Sequence, residues 1–427
     1  MNSATLSKTR TDKQSNLGGR INPERVKALF PIFRNNELTR NLSYLDNAAT
    51  SQKPEVVMQA MDDAMRLFHS PVNRGFYPLA EQTTTRYEQA RERLKSFIGA
   101  ETDTSVIFTA SATDSINQVA QGFLLARLKP GQNVWVTRME HHSNYLPWQD
   151  VCEKSGANLR IIELNSAGEL DLDRHLDIFS DTTAMIALTQ TSNVLGTTND
   201  VGAICKQAKQ MHIPVLIDAA QAVVSNTINV QQLGCDFLVF SAHKMFAPTG
   251  IGLLYIAPDR LDQVQPVRLG GGMVDFAADH IADTTWSEAP HRFEAGSPNL
   301  VGAVGFAAAC DFVESLGQAN IKTHIGELAS SLYQQLSHYP NLHLVSPAKH
   351  LSSGIVSFYH DVIHAHDLAQ IMGDSGVAVR AGHHCAQPLL KHLGVSSTLR
   401  ISISVYNTND DIRAVVNALE YAEKVFA

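Results

Sequence analysis

Residues 236–255, DFLVFSAHKMFAPTGIGLLY, predict two apolar strands joined by a short turn that contains glycine. The first strand ends in Ser241-Ala242-His243-Lys244, so a lysine follows a buried strand directly. Burial at such a position lowers the pKa of an amine and makes it nucleophilic. The stretch therefore favours a lysine that forms a Schiff base, although an isolated Ser-x-His-Lys sequence is also compatible with a surface lysine at a loop.

A carboxylate follows a second apolar strand about 20 residues earlier in the chain. Residues 214–217 lead into Asp218-Ala219-Ala220-Gln221. Pyridoxal phosphate (PLP) needs both a lysine for its aldehyde and an acid for its pyridinium nitrogen. Lys244 and Asp218 together therefore predict a PLP site at the ends of two adjacent strands.

Short β-rich segments alternate with helical segments from residue 105 to residue 243. Such alternation predicts right-handed crossovers and a mostly parallel α/β sheet. Polar residues gather where the predicted strands end, which is where open α/β sheets bind ligands. One helix start, Ser111–Ser115, offers hydroxyl and backbone N–H groups that suit a phosphate, although an ordinary helix N-cap has the same features.

A second group of reactive residues, RAGHHCA, spans residues 380–386. Cys385 follows two histidines in a loop that contains glycine and an arginine, a setting that favours the thiolate and makes the cysteine a candidate nucleophile. A metal site is the alternative, because histidines are abundant here and at residues 141–142. No paired Cys-x-x-Cys or His-Glu-x-x-His spacing is present, so we expect no metal.

Composition excludes several classes of function. The net charge of -8 argues against nucleic-acid binding, and no apolar run approaches the ~18 residues needed to span a bilayer. The first twenty residues are polar, lack the apolar segment of a secretory signal and predict a disordered tail. Five scattered cysteines favour a reducing, cytoplasmic setting over a disulfide framework.

Six stretches together resemble the cysteine desulfurases, a branch of the class-V aminotransferase family of fold-type I PLP enzymes, and in particular the Suf-type group II. They are MEHHSNYLPW (139–148), SNVLGT (192–197), DAAQA (218–222), SAHKMFAPTGIG (241–252), RFEAGSPN (292–299) and RAGHHCAQPL (380–389). The resemblance runs from Tyr44 to the C-terminus. It implies a large PLP-binding domain with a mostly parallel seven-stranded sheet over residues 44–305 and a smaller α/β domain with the catalytic cysteine loop over 306–427. Residues 21–43 are expected to pack with the small domain.

The same resemblance implies how the cofactor is held. Lys244 carries it, Asp218 pairs with its ring nitrogen, and His141 stacks on its ring as a further catalytic residue. The remaining cofactor contacts are implied to be Gln221 at the phenolic oxygen, Thr113, Ser241 and His243 at the phosphate, and Gly296 and Ser297 reaching the phosphate from the partner subunit of a homodimer.

The resemblance also implies the reaction. Asn193 and Arg380 hold the carboxylate of L-cysteine, and Cys385 attacks the substrate sulfur. A persulfide forms on Cys385, L-alanine is released, and the sulfur passes to a SufE-like acceptor or an iron–sulfur scaffold. L-Selenocysteine is a close variant of the substrate. Alternatives are a class-V aminotransferase or epimerase in which Cys385 is incidental, and a PLP-binding scaffold without activity.

The chain departs from the family pattern at several positions. The phosphate turn has Ser111-Ala112-Thr113 instead of Gly-Thr-Thr, and alanine replaces glycine at Ala219 and Ala242. In the substrate channel Asn73 precedes Arg74-Gly75 where histidine is usual. These changes leave the choice between cysteine and selenocysteine open and bear less on the type of reaction.

Overall fold

The computed structural model describes residues 20–102 and 105–427. The predicted tail, residues 1–20, therefore lies outside the described residues except for Arg20. The strands are β1 (Ser43–Tyr44), β2 (Val106–Thr109), β3 (Asn133–Thr137), β4 (Asn158–Ile162), β5 (Thr183–Thr189), β6 (Val215–Asp218), β7 (Phe237–Ser241), β8 (Gly252–Ile256), β9 (Val274–Phe276), β10 (Thr285–Trp286), β11 (Leu342–Leu344), β12 (Ile355–His360), β13 (Val377–Ala378), β14 (Arg380–Gly382) and β15 (Thr398–Ser402). The α-helices are α1 (Pro23–Lys27), α2 (Ile32–Asn35), α3 (Glu55–Leu67), α4 (Pro78–Ile98), α5 (Ala112–Val119), α6 (Leu146–Ser155), α7 (Val201–Gln210), α8 (Val230–Leu233), α9 (Leu300–Leu316), α10 (Gln318–Leu336), α11 (Ala365–Asp374), α12 (Gln387–Leu393) and α13 (Asn409–Phe426).

The central sheet has seven strands in the order β2-β8-β7-β6-β5-β3-β4, and it confirms the predicted mostly parallel sheet. Strands β3 to β7 pair in parallel, whereas β8 is antiparallel to both of its neighbours. The short connection from β7 to β8 explains this reversal, because a parallel partner requires a longer crossover. β5, β6 and β7 are buried almost throughout, as expected for strands covered on both faces.

A second sheet, β11-β12-β15-β14, is antiparallel and lies in the C-terminal third of the chain. α9 leads into this region and runs without a break across residue 305, so the expected domain boundary falls inside a helix. The N-terminal segment contacts the C-terminal third: Phe30 packs on Tyr406, and β1 pairs with β13. The domain bounds themselves stay predictions.

The described part of the chain contains no single helix that is long and apolar enough to cross a membrane. α9 and α10 together meet that criterion by length and composition, with a 73° bend between them.

Candidate active site

The carboxyl ends of β5, β6 and β7 open into a cavity of about 330 Å³. The structure brings ten of the predicted site residues to its wall: Thr113, His141, Asn193, Asp218, Gln221, Ser241, His243, Lys244, Arg380 and Cys385. They come from stretches as much as 272 residues apart in sequence, since Thr113 follows β2 and Cys385 follows β14. Only Gly296 and Ser297 of the predicted set lie elsewhere.

Lys244 ends a single 3₁₀ turn, Ala242–Lys244, that follows β7 directly. The turn is held in place because the carbonyl oxygen of His243 accepts hydrogen bonds from the backbone N–H and the hydroxyl of Ser51, at 3.1 and 3.0 Å. Burial lowers the pKa of Lys244, and the charge of Asp218 only partly opposes this effect. A lysine amine with a lowered pKa is more often neutral and therefore nucleophilic.

Asp218 is the last residue of β6 and is 6% exposed. One carboxylate oxygen accepts a hydrogen bond from the backbone N–H of Ala220 at 2.9 Å. Burial raises the pKa of Asp218, and both the charge of Lys244 and this hydrogen bond oppose the shift. A cationic ring nitrogen is the kind of partner that stabilises a carboxylate in such surroundings.

His141 lies between β3 and the turn that precedes α6. Its Nδ1 accepts the backbone N–H of Ser143 at 3.1 Å and lies 3.0 Å from the Ser143 hydroxyl. Burial, followed by the charge of Lys244, lowers the pKa of His141 to about 3. The imidazole is therefore neutral, and because a backbone N–H can only donate, its proton lies on Nε2.

The N-terminus of α5 lies where the phosphate seat is predicted. Thr113 lies in its first turn, 2.7 Å from the hydroxyl of Ser143, and the Ser241 hydroxyl accepts the backbone N–H of Ala112 at 2.8 Å. Gly252 lets β8 pass close to this turn, since a Cβ there would lie 2.6 Å from the carbonyl carbon of Ser111. Nδ1 of His243 is buried and has no hydrogen-bond partner among the described residues.

This set of groups fits PLP. A helix N-terminus and an unpartnered imidazole nitrogen suit its phosphate, a lysine with a lowered pKa suits its aldehyde, and a buried carboxylate suits its ring nitrogen. Gln221, whose side-chain amide donates to the carbonyl of Ala48 at 2.8 Å, stands at the wall beside them. Within the described residues, no group of three or more His, Cys, Asp or Glu side chains is placed to hold a metal ion. The metal-free site stays a prediction.

Cys385 lies in a loop with an unusual backbone. His384 and Cys385 have φ of 51° and 54°, in the left-handed region that non-glycine residues adopt at a cost in energy. The amide of Asn193 donates to the carbonyl of His384 at 2.8 Å, and the backbone N–H of His142 donates to that of Cys385 at 2.7 Å. Cys385 is exposed, whereas the other four cysteines are buried. The loop thus holds one accessible thiol at the cavity.

Arg400, which the sequence reasoning missed, also lines the cavity. It is 2% exposed, donates from Nη1 to the carbonyl of Asn193 at 3.0 Å, and burial lowers its pKa to about 10. Its Nε finds no partner in the described chain. Arg380, by contrast, pairs with both carboxylate oxygens of Asp46 at 2.8 to 3.0 Å. The sequence contained one signal for Arg400, namely an arginine within the apolar strand β15. A buried arginine is rare unless it has a partner.

Gly296 and Ser297 lie outside this cavity. They are exposed and line a second cavity of about 700 Å³, together with Asn73 and Arg74. The loop is fixed from behind by Glu294, whose carboxylate accepts two hydrogen bonds from Arg91, at 2.6 and 2.9 Å, and one from the backbone N–H of Phe108. The loop is therefore held in place but presented outward.

We expect Glu294→Ala to lower the free energy of unfolding by about 3–5 kcal/mol, because it leaves the guanidinium of Arg91 buried without its main partner. The side chains of Arg91 and Glu294 are 1% and 7% exposed. Glu88 is the matched control, since it also pairs with Arg91 but is 35% exposed. Glu88→Ala should cost about 1 kcal/mol or less. Denaturant unfolding of both variants measures the difference, and equal losses would contradict the expectation.

Comparisons with known proteins show which family this sequence matches. The sequence matches the family model of class-V aminotransferases over residues 43–415. A probable cysteine desulfurase of Halalkalibacterium halodurans is 42% identical over 406 residues, which cover 95% of this chain and 99% of that protein. A cysteine desulfurase of Serratia proteamaculans is 40% identical over 402 residues, covering 94% and 98%.

Two solved structures are similar over nearly the whole chain. The cysteine desulfurase CsdA of Escherichia coli has a TM-score of 0.88 at 34% identity, covering 96% of this chain and 100% of that one. The apo cysteine desulfurase of Thermococcus onnurineus NA1 has a TM-score of 0.89 at 35% identity, covering 95% and 99%.

Proposed function

Because this chain belongs to the class-V aminotransferase family and is a PLP-dependent cysteine desulfurase with the predicted fold-type I architecture, we propose that Cys385 takes the sulfur of L-cysteine and passes it to an acceptor protein. The observation that carries this proposal is the position of Cys385, an exposed thiol on the wall of the cavity that also contains Lys244 and Asp218. We therefore assign the site roles as follows.

When bound, PLP supplies an electron sink for the substrate Cα. Lys244 would hold its aldehyde, Asp218 would accept a hydrogen bond from its protonated ring nitrogen, and His141 would contact its ring. Thr113, Ser241 and His243 would hold its phosphate. Lys244, as a free amine, would take the proton from the substrate Cα, and its lowered pKa favours the neutral form that this step requires. His141 is neutral and carries its proton on Nε2, so this nitrogen can donate a hydrogen bond.

Cys385 then acts as the nucleophile. Its thiolate sulfur forms a bond to the substrate sulfur, and the bond between that sulfur and the substrate Cβ breaks. The carbon keeps the electron pair and is protonated to become the methyl group of alanine. The sulfur stays on Cys385 as a persulfide. Because the thiol is exposed, an acceptor protein, SufE-like or an iron–sulfur scaffold, can reach it from outside.

The substrate carboxylate is held by arginine. Two guanidinium groups, Arg380 and Arg400, face the single carboxylate of Asp46, so one positive charge is left without a buried counter-ion. The unpartnered Nε of Arg400 offers a donor for that carboxylate. Asn193 lies between Arg400 and the cysteine loop, since its carbonyl accepts from Arg400 and its amide donates to His384. Substrate binding and the position of Cys385 are thereby linked.

The experiment that tests the proposed function incubates the purified protein with L-cysteine and quantifies alanine and sulfur together. Alanine should form, and the first equivalent of sulfur should remain on the protein as a persulfide of Cys385. Adding a thiol or an acceptor protein should then release it and restore turnover. Alanine formation with a persulfide on another cysteine would contradict the assignment.

We also propose that the enzyme is a C₂ homodimer in which Gly296 and Ser297 complete the phosphate site of the partner. This arrangement explains why the loop is fixed but points away from its own cavity. Fully exposed Phe76 and exposed Leu67, Phe276 and Ile281 offer apolar surface for such an interface.

A cytoplasmic location is proposed because all five cysteines are free.

A mixed dimer tests the shared site. One protomer carries Lys244→Ala and the other carries Ser297→Asp, which repels the phosphate. If Ser297 serves the partner, one site of the mixed dimer retains both wild-type residues, and the dimer should keep about half of the wild-type activity. If Ser297 serves its own subunit, both sites are damaged. Each homodimeric variant is the control, and an inactive mixed dimer would contradict the proposal.

A further inference from the structure

Two buried carboxyl groups lie side by side at the cofactor edge of the central sheet. Glu140 is 1% exposed and Asp218 is 6% exposed. Both adjoin Thr189, whose backbone N–H donates to Glu140 Oε1 at 2.9 Å and whose Cα lies opposite that of Asp218 in the parallel ladder of β5 and β6. Keeping two adjacent carboxylates ionised in such a place is costly, because burial and like charge both oppose it.

The contacts of Glu140 suit a carboxyl group that holds a proton as well as one that does not. Thr189 N–H and the amide of Asn144 can only donate to it, at 2.9 and 2.7 Å. The amide of Asn144 is oriented by Trp148, whose indole N–H donates to its oxygen at 2.9 Å. The Thr137 hydroxyl, 2.5 Å from Oε1, can act in either direction.

The hydroxyl oxygen of Thr137 can accept a hydrogen bond from a protonated Glu140. Its Oγ1 already accepts the backbone N–H of Met139 at 3.2 Å, and an oxygen that accepts one hydrogen bond has a lone pair for a second. A protonated Glu140 therefore donates to Thr137 without breaking its contacts to Thr189 and Asn144. Among the described residues, no comparable hydroxyl contacts Asp218, whose carboxylate accepts from the backbone N–H of Ala220 and faces Lys244.

We propose that Glu140 is a positioning residue that holds a proton, so that Asp218 is the single ionised carboxylate at this edge of the sheet. The consequence for catalysis rests on the proposed role of Asp218: its negative charge is kept for the ring nitrogen. Glu140 also fixes the turn that carries His141, because its contacts reach β3, β5 and Asn144 in the 3₁₀ turn that precedes α6. Glu140 is not among the residues that line the cavity.

The electrostatics support this division of roles. Burial and, to a smaller extent, the charge of Asp218 together raise the pKa of Glu140 to about 8, and its three hydrogen bonds oppose this shift. Asp218 on β6 is the charged group of another element that acts on Glu140, and Lys244 at the end of β7 acts on Asp218 in turn. His141 lies next to Glu140 in the chain and is neutral, with a pKa of about 3. Near neutral pH the proton therefore stays on Glu140.

Infrared spectroscopy of the holoenzyme tests the inference directly. We expect a protonated-carboxyl band at about pH 6 that disappears with a midpoint near pH 8. Labelling with ¹³C-glutamate should shift this band, which assigns it to glutamate and not to Asp218, and Glu140→Gln should remove it. A wild-type spectrum without a glutamate carboxyl band at about pH 6 overturns the inference, and so does a band that persists in Glu140→Gln.

The visible absorbance of the bound cofactor is a second readout. In the wild type we expect a change with a midpoint near pH 8, as Glu140 ionises and a second charge arises beside Asp218. Glu140→Gln should lack this transition, whereas Glu163→Gln, directly after β4 and away from the cavity lining, should keep it. An unchanged transition in Glu140→Gln contradicts the inference. Neither readout depends on sulfur transfer, so the result stands apart from the test with L-cysteine.

Discussion

Cys385→Ala is expected to bind PLP and L-cysteine and to release almost no alanine, a loss of at least about 10³-fold in turnover. The proposed cofactor contacts are Lys244, Asp218 and the predicted phosphate seat, and among the described residues none of them contacts the thiol through a hydrogen bond. Without the thiolate, the sulfur has no nucleophile to accept it. Alanine measured by chromatography, beside the cofactor absorbance on adding L-cysteine, separates binding from reaction.

The four other cysteines provide matched controls. Cys152, Cys205, Cys235 and Cys310 are buried, and burial raises the pKa of each thiol, to about 11 in Cys152 and about 12 in Cys205. Thiols of this kind are rarely ionised at neutral pH and do not react. Each alanine variant should release alanine and label an acceptor protein with sulfur as the wild type does.

The same experiment can be carried out with selenocysteine as the substrate. Its carbon–selenium bond is weaker, so selenium can leave with less help from a nucleophile, and Cys385→Ala should lose less activity with selenocysteine than with cysteine. Alanine formation from L-cysteine at the wild-type rate would show that Cys385 is incidental. The aminotransferase or epimerase alternative would then account for the PLP site better than sulfur transfer does.

The fold and two residues of the site, Lys244 and Asp218, could be predicted from the sequence because the signals for them are local. An apolar strand followed by a polar residue marks a strand end, and parallel strands place their ends at one edge of the sheet. This reasoning located Lys244 and Asp218, and the structure places both on one cavity wall. The antiparallel β8 and the helix across residue 305 depend on chain connections that strand patterns do not encode.

The missing parts of the site depend on contacts between distant residues. Arg400 looks like one polar residue in an apolar strand until the fold places Asp46, 354 residues away, against it. In the sequence, Glu140 is notable only as the neighbour of a histidine. Its surroundings become apparent in the fold, where β5 and β6 bring Thr189 and Asp218 close to it. The left-handed backbone at His384 and Cys385 follows from tertiary hydrogen bonds and not from the residue types.

Lys244→Ala is expected to abolish turnover, by about 10³-fold or more, and to remove the covalent link between protein and cofactor. Its amine is the group that the structure places beside Asp218 with a lowered pKa. Borohydride reduction of the wild-type holoenzyme should give a stable pyridoxyl adduct, and peptide mapping should find it on Lys244. The variant should give no adduct, even when PLP is supplied in excess.

Lys53 is the strictest control, because burial also lowers its pKa, to about 8, and it lies against the same turn. Its amine donates to the carbonyl of His243 at 3.3 Å and to the carbonyl of Ser51. Lys53 is not among the residues that line the cavity. A lowered pKa alone therefore does not single out Lys244, whereas access to the cavity does. Lys53→Met should keep the adduct on Lys244 and most of the activity. An adduct that maps to Lys53 in the wild type would contradict the assignment of the cofactor lysine and would require a different placement of PLP.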